Sequence, residues 1–512
     1  MRPFRMNFCQ ARVRLVLAGA VLTAAALISG CGNNYRPVVT PVNPSGPPSQ
    51  PESFAAVVSA SSTTAPGIAT IIDYAGDTVM AEAPIGPGPS AFTVDETGSN
   101  GYTINSDGTL TNFPISSSLQ QKNVIYTTLL STAKPVNLFS PASGLWVADL
   151  CATTAPANVC ESAADVFTGS PQTFLLSIPV APAPVMVVGP GLRGQRYFAL
   201  SQNIANPTGV ECNTSPAAEP LGQVTGIEVS NDTTDAPTMP VGKCPVYAVE
   251  SSDNQRLFVL NRGSDTVTVI NALNDTLDQC VCPATGCLNQ ANQAYTCHPT
   301  LPLSTTAGLA QDANNDVPAV AGPVYAEYNA ATSQLVVANY DGGTISIIDV
   351  SLDEYGNDGP NFGTTYTVPV GKNPASVTVL LDGTRAYTAN QADGTVSVVY
   401  LGSHTVKTTL PVTGHPRTVV STQNSTYGKV YVASPDSNFL TIIGTGGTNP
   451  DTVDTTMPVT GNIVDVRVST QNGTGGNNNN LSRIPGYGQP CNQPGTAPTA
   501  TLKACQLLPV LP

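Results

Sequence analysis

Four cysteines crowd one stretch of this chain, at Cys280, Cys282, Cys287 and Cys297, and His298 follows the last of them. Thiolates and imidazole are the usual ligands of zinc, so a metal site is one reading of the cluster. The spacing, Cys-x-Cys-x₄-Cys-x₉-Cys-His, holds no paired C-x₂-C. In an oxidising compartment neighbouring thiols pair, and disulfides within the loop are the preferred reading. Six further cysteines, Cys151, Cys160, Cys212, Cys244, Cys491 and Cys505, complete an even set of ten once Cys9 and Cys31 are set aside. Cys151 with Cys160 and Cys491 with Cys505 lie close enough for local bridges, but spacing alone does not fix the connectivity.

Acid–base chemistry is thinly provided. The chain has three histidines, His298, His404 and His415, which excludes a His-rich metal or haem centre. His415 sits where equivalent segments carry Gly88, Lys134, Cys244, Gly322 and Asn373, so it reads as a variable surface position. There is no G-x-S-x-G elbow, no H-E-x-x-H and no phosphate-binding loop, so the familiar hydrolase, zinc-protease and nucleotide signatures are missing. Glu327, Asp382 and Asp465 are the carboxylates available to hold a divalent cation, Glu327 being equally readable as a solvated strand residue. The segment Asp353-Glu-Tyr-Gly-Asn-Asp-Gly359 offers oxygen ligands suited to calcium, yet it departs from EF-hand spacing and reads as an acidic turn. No residue is assigned as catalytic or metal-binding, and no cofactor is expected.

The elements that must position these side chains are strands. Only 11% of residues are charged while 41% are hydrophobic, and Gly and Pro number 45 each; this composition suits many short strands joined by turns. A segment recurs: a bulky apolar residue, alternating apolar positions, a small polar ending, a Gly- or Asp-rich turn, then a β-branched run. Arg385-Ala-Tyr-Thr-Ala-Asn390 leads into Asp393-Gly-Thr-Val-Ser-Val-Val399, and Gln334-Leu-Val-Val-Ala-Asn339 into Asp341-Gly-Gly-Thr-Ile-Ser-Ile-Ile-Asp349. Arg256-Leu-Phe-Val-Leu-Asn261 and Lys429-Val-Tyr-Val-Ala-Ser434 open two more copies, and looser ones start at Gly101, Leu145 and Tyr197. Each copy reads as a β-hairpin.

These residues resemble the YVTN family of β-propeller repeats, most closely from about residue 243 to 470, where Tyr387-Thr-Ala-Asn390 and Tyr431-Val-Ala-Ser434 echo the naming tetrapeptide. The expected fold is therefore all-β, a propeller of four-stranded blades. A proline opens each unit, at Pro89, Pro135, Pro184, Pro245, Pro323, Pro374 and Pro416, and Gly461 stands at an eighth opening. That count gives eight blades; the resemblance makes seven the commoner expectation. A pair of β-sandwiches or a solenoid is the competing architecture. The eighth unit has one strand left, residues 463–468, whereas residues 54–58, 68–73 and 78–83 supply three at the other end, so N- and C-terminal strands are expected to share a blade and close the ring. On the inner strands Phe92, Leu138, Met186, Tyr247, Tyr325, Val377, Val419 and Val464 are taken as equivalent, and they read as packed core.

The N-terminus carries the localisation. Arg2, Arg5, Arg12 and Arg14 precede an uncharged apolar run from Leu15 to Ile28, shorter than the roughly 20 residues a membrane-crossing helix needs. Ile28-Ser29-Gly30-Cys31 resembles the bacterial lipobox, which implies cleavage after residue 30 and acylation of Cys31; Gly32, in place of Asp, implies the outer membrane in a two-membrane cell. Several acyl chains make a stable anchor where one holds marginally. The expected organisation is a signal peptide over 1–30, a Pro-, Ser- and Asn-rich tether over 31–52, the propeller over 53–470 and a Gly/Asn-rich tail over 471–512. Without the signal the chain keeps 16 Lys and Arg against 34 Asp and Glu, a balance that disfavours nucleic acid. Two readings of function follow. The preferred one is a monomeric, non-enzymatic binding or scaffold protein, held to the membrane by its lipid and presenting loops to a protein, peptide or glycan. The alternative is a periplasmic lactonase-like hydrolase with a divalent metal in the channel.

Overall fold

The computed structural model of the protein describes residues 54–469 except 75, 131–132, 142–143, 153–160, 190–195, 206–211, 213–218, 235–237, 281, 284–285 and 304–320. The proposed signal peptide, Cys31, the tether and the C-terminal tail lie outside the described residues, as do Cys160, Cys491 and Cys505. Cys151 falls in a described strand, but its side chain is outside the description.

Eight antiparallel sheets form eight blades of a β-propeller, and among the described residues the one helical element is a single 3-10 turn, Gln121–Asn123. Blade 1 takes Phe54–Ala60, Pro66–Asp73 and Thr78–Pro87 from the start of the fold and its innermost strand, Asn462–Val468, from the end. Blades 2 to 8 are each continuous in sequence. Their innermost strands are Pro89–Val94, Pro135–Phe139, Pro184–Val188, Pro245–Glu250, Pro323–Asn329, Pro374–Val379 and Thr418–Ser421. Each innermost strand packs on the next, and Asn462–Val468 packs on both Thr418–Ser421 and Pro89–Val94, so the ring is closed. Closure of this kind pairs Phe54–Ala60, which would otherwise be an exposed edge of blade 1.

The repeated segment supplies the second and third strands of a blade. In blade 7 these are Arg385–Asn390 and Thr395–Tyr400, paired from Arg385 with Tyr400 to Asn390 with Thr395. The asparagine that ends the second strand explains why the segment recurs. Asn390 Nδ2 donates to the hydroxyls of Thr395 and Ser397, Asn339 to Thr344 and Ser346, Asn261 to Thr266 and Thr268, and Asn105 to Thr109 and Thr111, all at 2.7–3.2 Å. Each such amide pins the turn of its own hairpin. Against it lies a glycine of the preceding blade's outer edge: a Cβ on Gly371 would come within 2.6 Å of Asn390 Cγ, and one on Gly242 within 2.6 Å of Asn261 Cγ.

The blade-opening prolines have a backbone reason. The residue before the proline is left-handed at Gly88, Ala183, Cys244, Gly322 and Asn373, with φ between 46° and 60°. Directly after the proline the register slips by one residue in blades 2 to 7, at Pro89/Ala91, Pro135/Asn137, Pro184/Met186, Pro245/Tyr247, Pro323/Tyr325 and Pro374/Ser376. A bulge of this kind adds an unpaired residue and re-aims the side chains that follow it.

Two blades have a broken outer strand. In blade 4, Thr233–Thr234 and Met239–Lys243 both pair with Leu221–Glu228. In blade 5, Thr276–Leu277 and Thr300–Pro302 both pair with Thr266–Asn271. Between the two halves of the blade 5 strand lies the four-cysteine loop, with its own small hairpin, Cys287–Leu288 against Ala294–Tyr295.

Candidate functional site

The innermost strands place eight equivalent side chains around the ring, two residues beyond each opening proline and, in blade 1, two beyond Ile463. Their pairing with the second strands identifies them as Ala91, Asn137, Met186, Tyr247, Tyr325, Ser376, Thr418 and Asp465. This corrects the sequence reading in five places: the equivalent residue is one earlier than Phe92, Leu138, Val377 and Val419 and one later than Val464. Successive strand residues face opposite sides, so an offset of one residue in the count puts the wrong face inward. Side chains at these positions reach the next blade's innermost strand. The rings of Tyr247 and Tyr325 lie 4.6 Å apart, Ser376 Oγ donates to the Arg417 carbonyl at 2.9 Å, and Thr418 Oγ1 donates to Asp465 at 2.7 Å.

Two carboxylates stand in this innermost layer. Asp465 accepts from Thr418, from the backbone N–H of Val466 at 2.9 Å and from Arg467 Nη2 at 2.9 Å, and the Arg467 side chain is completely buried. Arg417 donates to the Val464 carbonyl beside them. Glu327 in blade 6 is also buried, which overturns its reading as a solvated strand residue. It reaches over two blades: the Val379 N–H of blade 7 donates to Oε2 at 3.1 Å and Gln423 of blade 8 donates to Oε1 at 3.4 Å. Burial pushes its carboxyl up to about 8 despite the lowering effect of the bonds from Thr378, Val379 and Gln423, so it is protonated and neutral at pH 7.

The other sequence candidates are elsewhere. Asp382 is exposed in the turn between the first two strands of blade 7, where it accepts from the Thr384 N–H at 3.1 Å and hydroxyl at 2.8 Å. Burial would raise its carboxyl, but Ser425, Thr384 and Arg385 hold it below the usual range. Glu327, Asp382 and Asp465 therefore share no hydrogen-bond partner. His415 pairs with Asp436 at 2.6 Å on the surface. In the 353–359 segment Asp353 Oδ1 accepts from the N–H groups of Tyr355 and Asn357 at 2.8 and 2.9 Å, the geometry of an acidic turn.

Two polar clusters escaped sequence reasoning. Asp451, left-handed at φ 64°, is buried between Arg385, Tyr387 and Lys407, all of which donate to it. Burial would raise this carboxyl; the three donors hold it low instead. In blade 5, Arg256 joins Asp278 at 3.3 Å and Asp358 at 3.4 Å, and Asp358 accepts from His298 Nδ1 at 2.7 Å. Asp278 is pushed up to about 6 by burial against the pull of Arg256. Both clusters draw partners from segments 20 to 102 residues apart, a distance no local motif spans.

The cysteines whose side chains are described are paired: Cys212 with Cys244, Cys280 with Cys297 and Cys282 with Cys287. The first ties the opening of blade 5 to the segment before the third strand of blade 4.

Structural comparison agrees with the fold. Apo AztD from Citrobacter koseri superposes with a TM-score of 0.51 at 11% identity, over 81% of this chain and 97% of that one. The dihydro-heme d1 dehydrogenase NirN in complex with DHE superposes with a TM-score of 0.55 at 13% identity, over 84% of this chain and 78% of that one. At such identities the likeness is one of fold, and both are propeller proteins. No family model matches the sequence, and no curated protein matches it.

Proposed function

We propose that this protein is a lipid-anchored, non-enzymatic binding propeller of the bacterial cell envelope. The observation that carries the reading is the state of the innermost ring. Its eight equivalent positions are mainly apolar, hydroxyl or amide side chains, and the carboxylates of Asp465 and Glu327 are committed within the protein: Asp465 to Thr418, Val466 and Arg467, Glu327 to Val379 and Gln423. A cation-assisted hydrolase needs several oxygen ligands free and aimed at one point, and a protonated Glu327 is a poor cation ligand. The loops between blades are then the natural surface for a protein, peptide or glycan, since binding residues concentrate on loops held by a rigid scaffold. The YVTN resemblance supports the same scaffold reading, and Ile28-Ser29-Gly30-Cys31 supports the anchor.

Two measurements test this. In a two-membrane bacterium the full chain is expected in the outer-membrane fraction and the Cys31→Ser variant in the soluble one; equal partition of both overturns the anchor. Purified protein is expected to leave a panel of lactones and esters unhydrolysed with calcium, magnesium, manganese or zinc added. Metal-dependent turnover abolished by Asp465→Asn or Glu327→Gln overturns the binding reading in favour of a hydrolase.

A further inference from the structure

The loop inserted in the outer strand of blade 5 holds its sulfurs unusually close together. The Sγ atoms of Cys280, Cys282 and Cys287 all lie within 4.8 Å of one another, although only Cys282 and Cys287 are bonded to each other. Cys280 is bonded to Cys297, so the fourth sulfur adjoins the same group. Cys280 and Cys297 are partly exposed and Cys282 is exposed, which leaves both bridges open to an external reductant.

The ends of the insert are fastened independently of the sulfurs. Asp278, two residues before Cys280, accepts the His298 N–H at 3.5 Å and pairs with Arg256 at 3.3 Å. His298, next to Cys297, pairs with Asp358 and stacks on Phe362 at 5.3 Å. The two halves of the broken strand are bonded to Thr266–Asn271 on either side. Reduction therefore frees the thiols without releasing the loop.

From this geometry we propose that the insert is a redox-gated site for a soft, thiolate-seeking cation of the zinc type. Oxidised, the four sulfurs are two disulfides and hold no metal. A dithiol or phosphine reductant passes two electrons to each bridge, is itself oxidised, and leaves four thiols at Cys280, Cys282, Cys287 and Cys297. Zinc then binds the thiolates and displaces their protons to solvent. In a tetrahedral site with Zn–S bonds of about 2.3 Å, the sulfurs stand about 3.8 Å apart, so the bonded pairs Cys282–Cys287 and Cys280–Cys297 must separate on reduction, starting from a group in which the Sγ atoms of Cys280, Cys282 and Cys287 lie within 4.8 Å of one another. The proposal does not depend on the binding function, because the insert lies on the outer edge of one blade and away from the innermost ring.

The test uses the full chain, reduced with a phosphine under nitrogen, cleared of reductant and titrated with cobalt(II) and then zinc alone. One equivalent of cobalt is expected to give the intense absorption of a tetrahedral thiolate complex, lost on adding zinc, while unreduced protein gives none. Cys282→Ser/Cys287→Ser is expected to lose stoichiometric binding, and Cys212→Ser/Cys244→Ser to keep it. Circular dichroism confirms that each variant retains its β-structure. Reduced protein that binds no stoichiometric metal overturns the proposal, as does equal binding by the Cys282→Ser/Cys287→Ser variant.

Discussion

Glu327 shows how far a single residue's environment departs from its sequence context. Within Pro323-Val-Tyr-Ala-Glu327 it is an isolated acid on a strand, yet its carboxyl is buried beneath two other blades and titrates near 8. The unfolded chain ionises this group near 4.5 while the native protein keeps its proton to about 8, so the native state binds the extra proton between those values. Stability contributed by the neutral carboxyl is complete below about pH 4.5 and is lost as pH rises towards 8, by at most about 1.4 kcal/mol for each pH unit crossed. Glu327→Gln, which keeps the shape without the proton, is expected to flatten that fall and to melt several degrees above the parent at pH 8. Urea unfolding of both proteins at pH 5 and pH 8 checks it, and an unchanged difference between the two pH values would refute the assignment. The pairing of Asp465 with Arg467 was within reach of sequence, since alternate strand residues share a face. Its partner Thr418 was not, because only the ring brings the strands that carry them together.

At the scale of elements, the repeat is a packing device shared between neighbours. The asparagine at the end of a second strand and the glycine before the next blade fit because the glycine has no Cβ. Gly371→Ala would place a methyl 2.6 Å from Asn390 Cγ, and overpacking of this kind costs about 1–3 kcal/mol. Denaturant unfolding is expected to show that loss, and to show the Gly371→Ala/Asn390→Ala double variant less destabilised than the two single effects combined. Simple additivity would mean the two positions do not press on each other. The hairpins, their turns and the opening prolines were legible in the sequence, being set by residues a few positions apart. The bulge after the proline in blades 2 to 7 was not, and five of the eight innermost positions were read one residue off.

For the whole molecule the decisive contact is between the ends of the fold. Asn462–Val468 pairs with Phe54–Ala60 from Ala55 with Val468 to Ala60 with Asn462, and Ser469 Oγ accepts the Phe54 N–H at 2.7 Å. Removing residues 461–469 would leave Phe54–Ala60 as an exposed inner edge and strip Thr418–Ser421 and Pro89–Val94 of their shared neighbour. Such a chain is expected to unfold in a broader transition at lower denaturant and to aggregate on refolding. Calorimetry and size-exclusion chromatography measure both. A deletion variant that melts as one sharp transition at the parental temperature would show that the ring does not need this strand.

The sequence by itself determined the strands and the sharing of the first blade between the two ends, because alternation, turn residues and repeat spacing are local or counted along the chain; it left seven blades open beside eight, and the structure has eight. It also set the composition that keeps histidine and charge scarce. Only the tertiary structure decided which carboxylates are buried, which partners neutralise them and which cysteines meet. Most of those outcomes depend on contacts between blades, and side chains as far apart in the chain as Asp77 and Lys429 come into bonding distance only when the ring has closed.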